Sequence, residues 1–348
     1  MSNYLKIKKF KDINLDDPFF NSLKADYNGF ENWFKRKNEE KAYVLEDNGL
    51  QGFLYLKIER NIVDDVEPII KADKILKIGT MKVNAHGTRL GERFVKKALD
   101  HAIKENVDII YVTVFEKHKS LVDLFKKYGF EKHGTKSSQN GTESVLAKNF
   151  DDKNDILLNY PLIKTSNVNK YILSIYPEYH SKMFPDSLLN TETFDLLEDK
   201  SHTNSIHKIY ICKMDDVREF KKGDIIVIYR TTDIKGRAEY RSVVSSIAVV
   251  EEVKDKSDFR DIQEYLNYTR NYSIFSEKEL KYYYDKFYPL YVIKMTYNAA
   301  LEKRLIRKKL IEEIGIERDQ YWGVVKITDE QLNKIIEKGD VDESLIVD

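Results

Sequence analysis

A chain of 348 residues, 42% of them hydrophobic, is long enough for two domains with real cores. Lys and Arg together number 58 and so do Asp and Glu, so no whole-chain field draws in nucleic acid and any such contact must be a local patch. No apolar run reaches the roughly 18 residues that span a bilayer, and MSNYLKIKKFKD lacks a signal-peptide core. A single cysteine, Cys212, excludes an internal disulfide framework or a cysteine-based zinc cluster, which fits a soluble chain in a reducing cytoplasm.

In chain order, YLKIKKF alternates as a first strand. Asp16, Asp17 and Pro18 make a helix start, with Asp as cap and Pro in the first turn. FFNSLKADYNGFENWFKRKNEEK has apolar residues at helical spacing broken at Asn28 and Gly29, which predicts two short helices with Trp33 and Phe34 in the core. KAYVLEDNGLQGFLYLKIE predicts two strands around the turn signal Asp47, Asn48, Gly49.

The most informative stretch runs from Ile75 to Phe130. It reads as a strand (ILKIGTMKVN), a glycine-bearing loop (AHGTRLG), a helix (ERFVKKALDHAIKEN), a strand (VDIIYVTVFE) and a helix ending in YGF. A strand that opens through glycines onto a helix start suits a phosphate, because the first amides lack intrahelical partners and the dipole adds positive charge. Neither GxGxxG nor GxxxxGK[ST] is present, so this is not the dinucleotide fingerprint or the Walker loop. Lys132 to Thr142 reads as a hairpin leading into ESVLAKNF, and the charged run FDDKND as a domain boundary near residue 150.

Further on, Pro177 and Pro185 frame a polar-aromatic segment with Tyr179, His180 and Lys182 that predicts a groove lining. IHKIYICKM reads as a strand with Cys212 as a small core residue, and GDIIVIYRTT as another. YRSVVSSIAVVEEV is a strand pair or one long strand, 258–287 is helical, and PLYVIKMTYN is a strand. ALEKRLIRKKLIEEIGI predicts a helix ending at Gly315, with Lys303, Arg304, Arg307, Lys308 and Lys309 on a charged face. Thr328 and Gln331 form a capping-box pattern for the last helix. Arg230, Lys235, Arg237 and Arg241 surround a turn at Gly236 with Tyr229 and Tyr240 beside them, a mixture that suits RNA phosphates and base stacking. From Asp151 onward acidic residues outnumber basic ones, so the patch would act locally.

The first half resembles the GNAT N-acetyltransferases. Their acetyl-CoA loop, Arg/Gln-x-x-Gly-x-Gly/Ala after the fourth strand, falls on His86-Gly87-Thr88-Arg89-Leu90-Gly91, with Arg89 in place of the first glycine. Their Asn-x-x-Ala-x-x-Leu-Tyr-x-x-x-Gly-Phe helix falls on 118–130, where Leu124, Gly129 and Phe130 match and His118, Leu121 and Phe125 depart. The resemblance implies acetyl-CoA held by Met81 and Val83 on the strand and by His86, Gly87, Thr88, Arg89, Leu90, Gly91 and Glu92 in the loop, with charge from Arg93, Lys96 and Lys97. It also implies an acid near the leaving thiolate. The family's tyrosine position is Phe125 here, so Tyr128 is the substitute, with His118 as a hydrogen-bonding or proton-transfer partner.

The second half resembles a PUA-like barrel of the ASCH type in KKGDIIVIYRT, SIAVVEEV and ITDEQLNKI, although the GxKxxExR signature is absent. That resemblance implies a groove for RNA or a modified base.

Together these readings predict an α/β and α+β chain. A GNAT-like mixed sheet flanked by helices (1–150) is followed by a PUA-like β-barrel domain with helical insertions (156–348). The expected activity is acetyl-CoA-dependent N-acetyl transfer, with Tyr229, Arg230, Lys235, Arg237 and Arg241 recruiting RNA or an RNA-bound acceptor. The alternatives are a degenerate acyl-CoA-binding regulator of a nucleic-acid-binding domain, or an ASCH-type hydrolase of acetylated nucleosides.

Overall fold

The computed structural model describes residues 5–187 and 200–348, so Tyr4, expected at the head of the first strand, lies outside the described residues. Contacts divide the chain into two units that part between Tyr160 and Pro161. Both units combine a mixed sheet with helices. No described helix is long and apolar enough to cross a membrane.

The first unit is a seven-stranded sheet. Its strands are β1 (Lys6–Lys9), β2 (Lys41–Glu46), β3 (Leu50–Val63), β4 (Ile70–Val83), β5 (Ile109–Val114), β6 (Glu131–Ser138) and β7 (Gly141–Asn149), in the order β1-β2-β3-β4-β5-β7-β6. Every pairing is antiparallel except β4 with β5. Helices α1 (Asn21–Asp26) and α2 (Phe30–Arg36) follow β1, α3 (Leu90–Lys104) joins β4 to the parallel β5, and α4 (Lys119–Lys127) joins β5 to β6. Asp17 caps the turn before α1 by accepting from Phe19 N, with Pro18 in the first turn. Asn48 and Gly49 both have positive φ, as the tight β2–β3 hairpin requires.

Helix α3 buries Phe94, Val95, Ala98, Leu99 and Ala102. The Phe94 ring occupies the space a Cβ on Gly52 would need, 2.4 Å away, so that glycine sets how closely α3 approaches β3. A second cluster, built from Phe10, Phe20, Phe30, Phe34 and Phe53, fixes α1 and α2. Trp33 packs against it, half-buried.

The charged run read as a boundary is tied down. Asp155 caps α5 (Ile156–Asn159) by accepting from Leu157 N and Leu158 N, and Asn159 Nδ2 donates to Asp152 Oδ1 at 2.7 Å. Tyr160 then stacks against Tyr128 at 5.7 Å, so the chain through Tyr160 stays with the first unit.

The second unit holds β8 (Ile163–Lys164), β9 (Lys170–Ile175), β10 (His207–Cys212), β11 (Ile225–Arg230), β12 (Val243–Asp255), β13 (Tyr291–Ile306), β14 (Val324–Ile327) and β15 (Ile346–Val347). Six of them make one sheet in the order β10-β13-β12-β11-β9-β14, and β15 pairs with β8. The expected closed barrel is not formed. β10 pairs with β13 and β14 with β9, so these two strands stand at opposite edges, and the four-residue β14 gives way at once to a helix. The helices are α6 (Pro177–Met183), α7 (Ser201–Asn204), α8 (Ala238–Arg241), α9 (Ile262–Thr269), α10 (Glu277–Lys286), α11 (Arg307–Glu312) and α12 (Asp329–Lys338). α12 opens on the expected capping box, with Thr328 accepting from Gln331 N.

YRSVVSSIAVVEEV takes the second of its two expected forms, one long strand, after a helical turn. One further expectation changes. ALEKRLI is not helical: β13 runs on to Ile306 because Val243 pairs with Ile306 and Val244 with Leu305, leaving only Arg307–Glu312 for α11. Lys303 and Arg304 therefore lie on a strand. Pairing along β12 overrides a helix preference worth only tenths of a kcal/mol per residue.

Candidate functional site

The first unit contains a cleft of about 1260 Å³. Its origin is the parallel pair β4 and β5, which stay in register from Ile75 with Ile109 to Ile78 with Val112. Beyond that point both strands continue, to Val83 and Val114, without pairing to one another. The divergence begins at a bulge: Tyr55 pairs with Thr80 and Leu56 with Ile78, which leaves Gly79 as the extra residue. A Cβ at Gly79 would fall 2.7 Å from the Tyr55 ring, so glycine is needed for the bulge to lie against β3. Thr80, Met81 and Val83 on one side and Thr113 and Val114 on the other then line an opening whose facing strand edges have no ladder partner in each other.

The α1–α2 segment and the β6–β7 hairpin close the other side. Asp26 accepts from His118 Nε2 at 2.9 Å and from Lys117, joining α1 to the residue that caps α4. Burial alone would raise the Asp26 carboxyl, but the hydrogen bonds from Lys117 and His118 outweigh it and hold the group below its ordinary value. Tyr27 donates to Glu143 at 2.7 Å, and burial together with that hydrogen bond pushes its phenol well up. At the root of the cleft, Tyr111 donates to Glu59 at 2.7 Å and Lys57 pairs with the same carboxylate at 2.8 Å. Burial works against the charged Glu59, yet those two donors keep its pKa below the ordinary value. Lys77, half-buried beside them, also has its pKa lowered, first by burial, which disfavours its charge, and then by the neighbouring charge of Lys136.

Of the residues singled out from sequence, Met81, Val83 and His118 line this cleft. His86 to Glu92 form the turn into α3. His86 Nδ1 lies 2.7 Å from Asn84 O, Thr88 Oγ1 lies 3.1 Å from His86 Nε2, and Gly87 has φ 84°. Arg89, which stands where the family pattern has glycine, adopts the left-handed conformation a glycine would favour, at φ 56°. Leu90 is buried, Gly91 packs against Leu124 of α4, and the buried Glu92 takes ion pairs from Arg89 at 3.2 Å and Lys127 at 3.1 Å.

Tyr128 is a correction. Its side chain is fully buried against Tyr160, beneath the Lys127 ammonium, and outside the lining of the cleft, so it cannot reach a thiolate there. Sequence reasoning also passed over Asp26, Tyr27, Glu59, Lys77, Tyr111 and Glu143. No local signal set them apart: Lys77 is one of four lysines along β4.

The proposed nucleic-acid set is not brought together as one surface. Tyr229 is buried at 2% exposure with Trp322 5.4 Å from its ring, so no base can stack on it, and Arg230 is buried as well. Arg241 is engaged in a two-nitrogen pair with Asp233 at 2.5 Å. Lys235 and Arg237 are exposed, in the connection that precedes α8. His180 likewise lines no groove: it is completely buried on α6, with Nε2 2.6 Å from Ser245 Oγ.

No family model and no curated protein matches the chain. Solved structures that match part of the chain include the ASCH protein of Zymomonas mobilis, 12% identical over 48% of this chain and 94% of its own, at a TM-score of 0.34. They also include a GNAT-family acetyltransferase of Streptococcus pneumoniae, 13% identical over 42% of this chain and 99% of its own, at a TM-score of 0.31. A NatC complex bound to Gag peptide and CoA is 17% identical over 42% and 99%, at 0.30.

Proposed function

We propose that the first unit is an N-acyltransferase that moves an acetyl group from acetyl-CoA to an amine in this cleft. The observation that carries the reading is the divergence of β4 from β5. The free edge of β4 from Thr80 to Val83 offers backbone donors and acceptors to an extended ligand with amides of its own, the arrangement by which a strand edge takes up a peptide-like chain. The pantetheine arm of coenzyme A has that chemistry, and the turn at His86 to Gly91 lies just past the end of the same strand. When bound, the donor supplies an activated thioester.

The chain's own residues do the rest. The walls of the cleft orient the amine, and Glu143 at the wall is the carboxylate positioned to take its proton. His118 replaces the displaced Tyr128 as proton donor to the leaving sulfur, held by Asp26. RNA recruitment is not part of this reading; of the residues assigned to it, Lys235 and Arg237 keep the exposure such contact needs.

Saturating acetyl-CoA should raise the melting temperature of the intact chain, since a ligand at 100 times its Kd adds about 2.7 kcal/mol to the native state. Thr113→Trp, which places a ring between the diverging strands, should remove that shift while leaving the melting temperature without ligand nearly unchanged. An intact chain whose melting does not respond to acetyl-CoA overturns the reading.

His118→Ala should lower kcat on the order of 10²-fold with acetyl-CoA binding retained, because only a transition-state contact is lost. Asp26→Asn, which keeps the shape but not the charge, should fall between it and the native protein. Full turnover by His118→Ala would leave solvent as the proton donor.

A further inference from the structure

We propose that the acceptor amine also carries an anionic group, a carboxylate or a phosphate, and that Lys77 at the root of the cleft binds it. Naming the bearer of that group as the acceptor rests on the acyl-transfer reading; the anion site itself does not.

The lysines around this end of the cleft differ in one respect. Lys57 is paired with Glu59, Lys136 with Asp65, and Lys37 with Glu40. Lys77 has no hydrogen-bonded or ion-paired partner among the described residues; its ammonium lies over the Tyr111 ring, 5.3 Å from the centroid. The neighbouring acceptors are already engaged, since Glu59 takes both the Tyr111 hydroxyl and Lys57. The charged groups that face Lys77 are Lys57 and Glu59 on β3, Asp65 just beyond it, and Lys136 on β6, two cations against two carboxylates. Lys77 is therefore the uncompensated charge of the group.

A half-buried ammonium without a counterion is poorly solvated, and its depressed pKa is what that predicts. An incoming carboxylate or phosphate would form a charge-assisted hydrogen bond there, stronger than the same contact in open water. Lys35 and Arg36 add positive potential at the rim of the same cleft.

Position separates this site from the phosphates of coenzyme A. Lys77 pairs with Tyr111 one step before the register between β4 and β5 is lost, whereas the turn that opens α3 begins beyond Val83. Val83 lies six residue steps along β4 from Lys77, a distance of about 20 Å. An anion at Lys77 is thus at the acceptor end, and an amine a few bonds from it would lie at the mouth of the divergence.

The test uses matched amines that differ in charge, glycine against glycinamide and phosphoethanolamine against ethanolamine, with thiol release from acetyl-CoA and calorimetric binding as readouts. The charged member of at least one pair should show kcat/KM roughly tenfold or more above its neutral partner, the loss expected when a hydrogen bond to a charged group is removed. Lys77→Met should erase that preference through KM with kcat kept, and Lys77→Arg should restore part of it. Which pair shows the preference tells carboxylate from phosphate.

Equal use of charged and neutral amines, or a Lys77→Met protein that keeps the preference, overturns the anion site. Charged amines that bind through Lys77 without thiol release, in a protein whose melting ignores acetyl-CoA, would instead retain the site and overturn acyl transfer.

Discussion

Gly129→Ala should cost the first unit about 3 kcal/mol or more, enough to lower its melting temperature by roughly 10 °C. Gly129 ends α4 at φ 84°, where its amide donates to Lys126 O and that of Phe130 donates to Phe125 O. Any other L residue at that φ pays about 1–2 kcal/mol in strain. The larger part is a collision. A Cβ here would lie 2.3 Å from Leu158 O and 2.6 Å from Lys148 Nζ, and that carbonyl accepts from the same ammonium at 2.5 Å. Alanine must displace α5 and break the hydrogen bond that satisfies a buried lysine end. Gly29→Ala isolates the strain, because Gly29 has the same φ of 84° and nothing within 4 Å of its Cβ, so it should lose that contribution alone. Equal losses for the two variants, measured by denaturant unfolding, would mean that α5 does not pack where Gly129 places it.

That contact also shows why some of the site was legible in the sequence and some was not. The order of elements from Ile75 to Phe130 could be read because each carries its own period, and the helix starts at Asp17 and Thr328 because capping is local. Tyr128 was misassigned through a non-local fact. It stands near the end of α4, as the family motif leads one to expect, but Tyr160 covers it from beyond the charged run FDDKND, which reads as a domain boundary.

The second unit misled in another way. β11 is buried along its whole length, so IIVIYR gives no alternation by which to tell an inward tyrosine or arginine from an outward one. The extension of β13 into ALEKRLI has the same character, since only its partner strand shows that the residues are extended. The paired groups of the cleft, Asp26 with His118 and Tyr27 with Glu143, are separated by 92 and 116 positions in the chain, and no spacing rule joins them.

The second unit should lose stability steeply in acid, and His180 should account for one proton of that dependence. The imidazole is completely buried; Nε2 lies 2.6 Å from Ser245 Oγ, and Nδ1 has no hydrogen-bond partner among the described residues. Burial first, and then the positive charges of Arg230 and Arg304, push its pKa down to about 3 from an ordinary value of 6.5. Below 6.5 the unfolded chain therefore takes up a proton that the folded chain refuses, and stability falls with pH until the folded group titrates near 3. Each pH unit within that window removes up to about 1.4 kcal/mol, or on the order of 2 kcal/mol by pH 4.5. Among the described residues, Ser245, Ser246, Ser187 and Tyr297 are joined to one another or to the ring by hydroxyl hydrogen bonds, and no carboxylate faces the imidazole to stabilise its cation. His180→Gln retains an amide able to bond Ser245 and cannot titrate. Any constant offset from the native protein at neutral pH cancels, so the decisive quantity is the change in that difference between pH 6.5 and 4.5. The difference should move by about one proton's slope in favour of the variant. Curves that stay parallel across the window would place the acid sensitivity of this unit elsewhere.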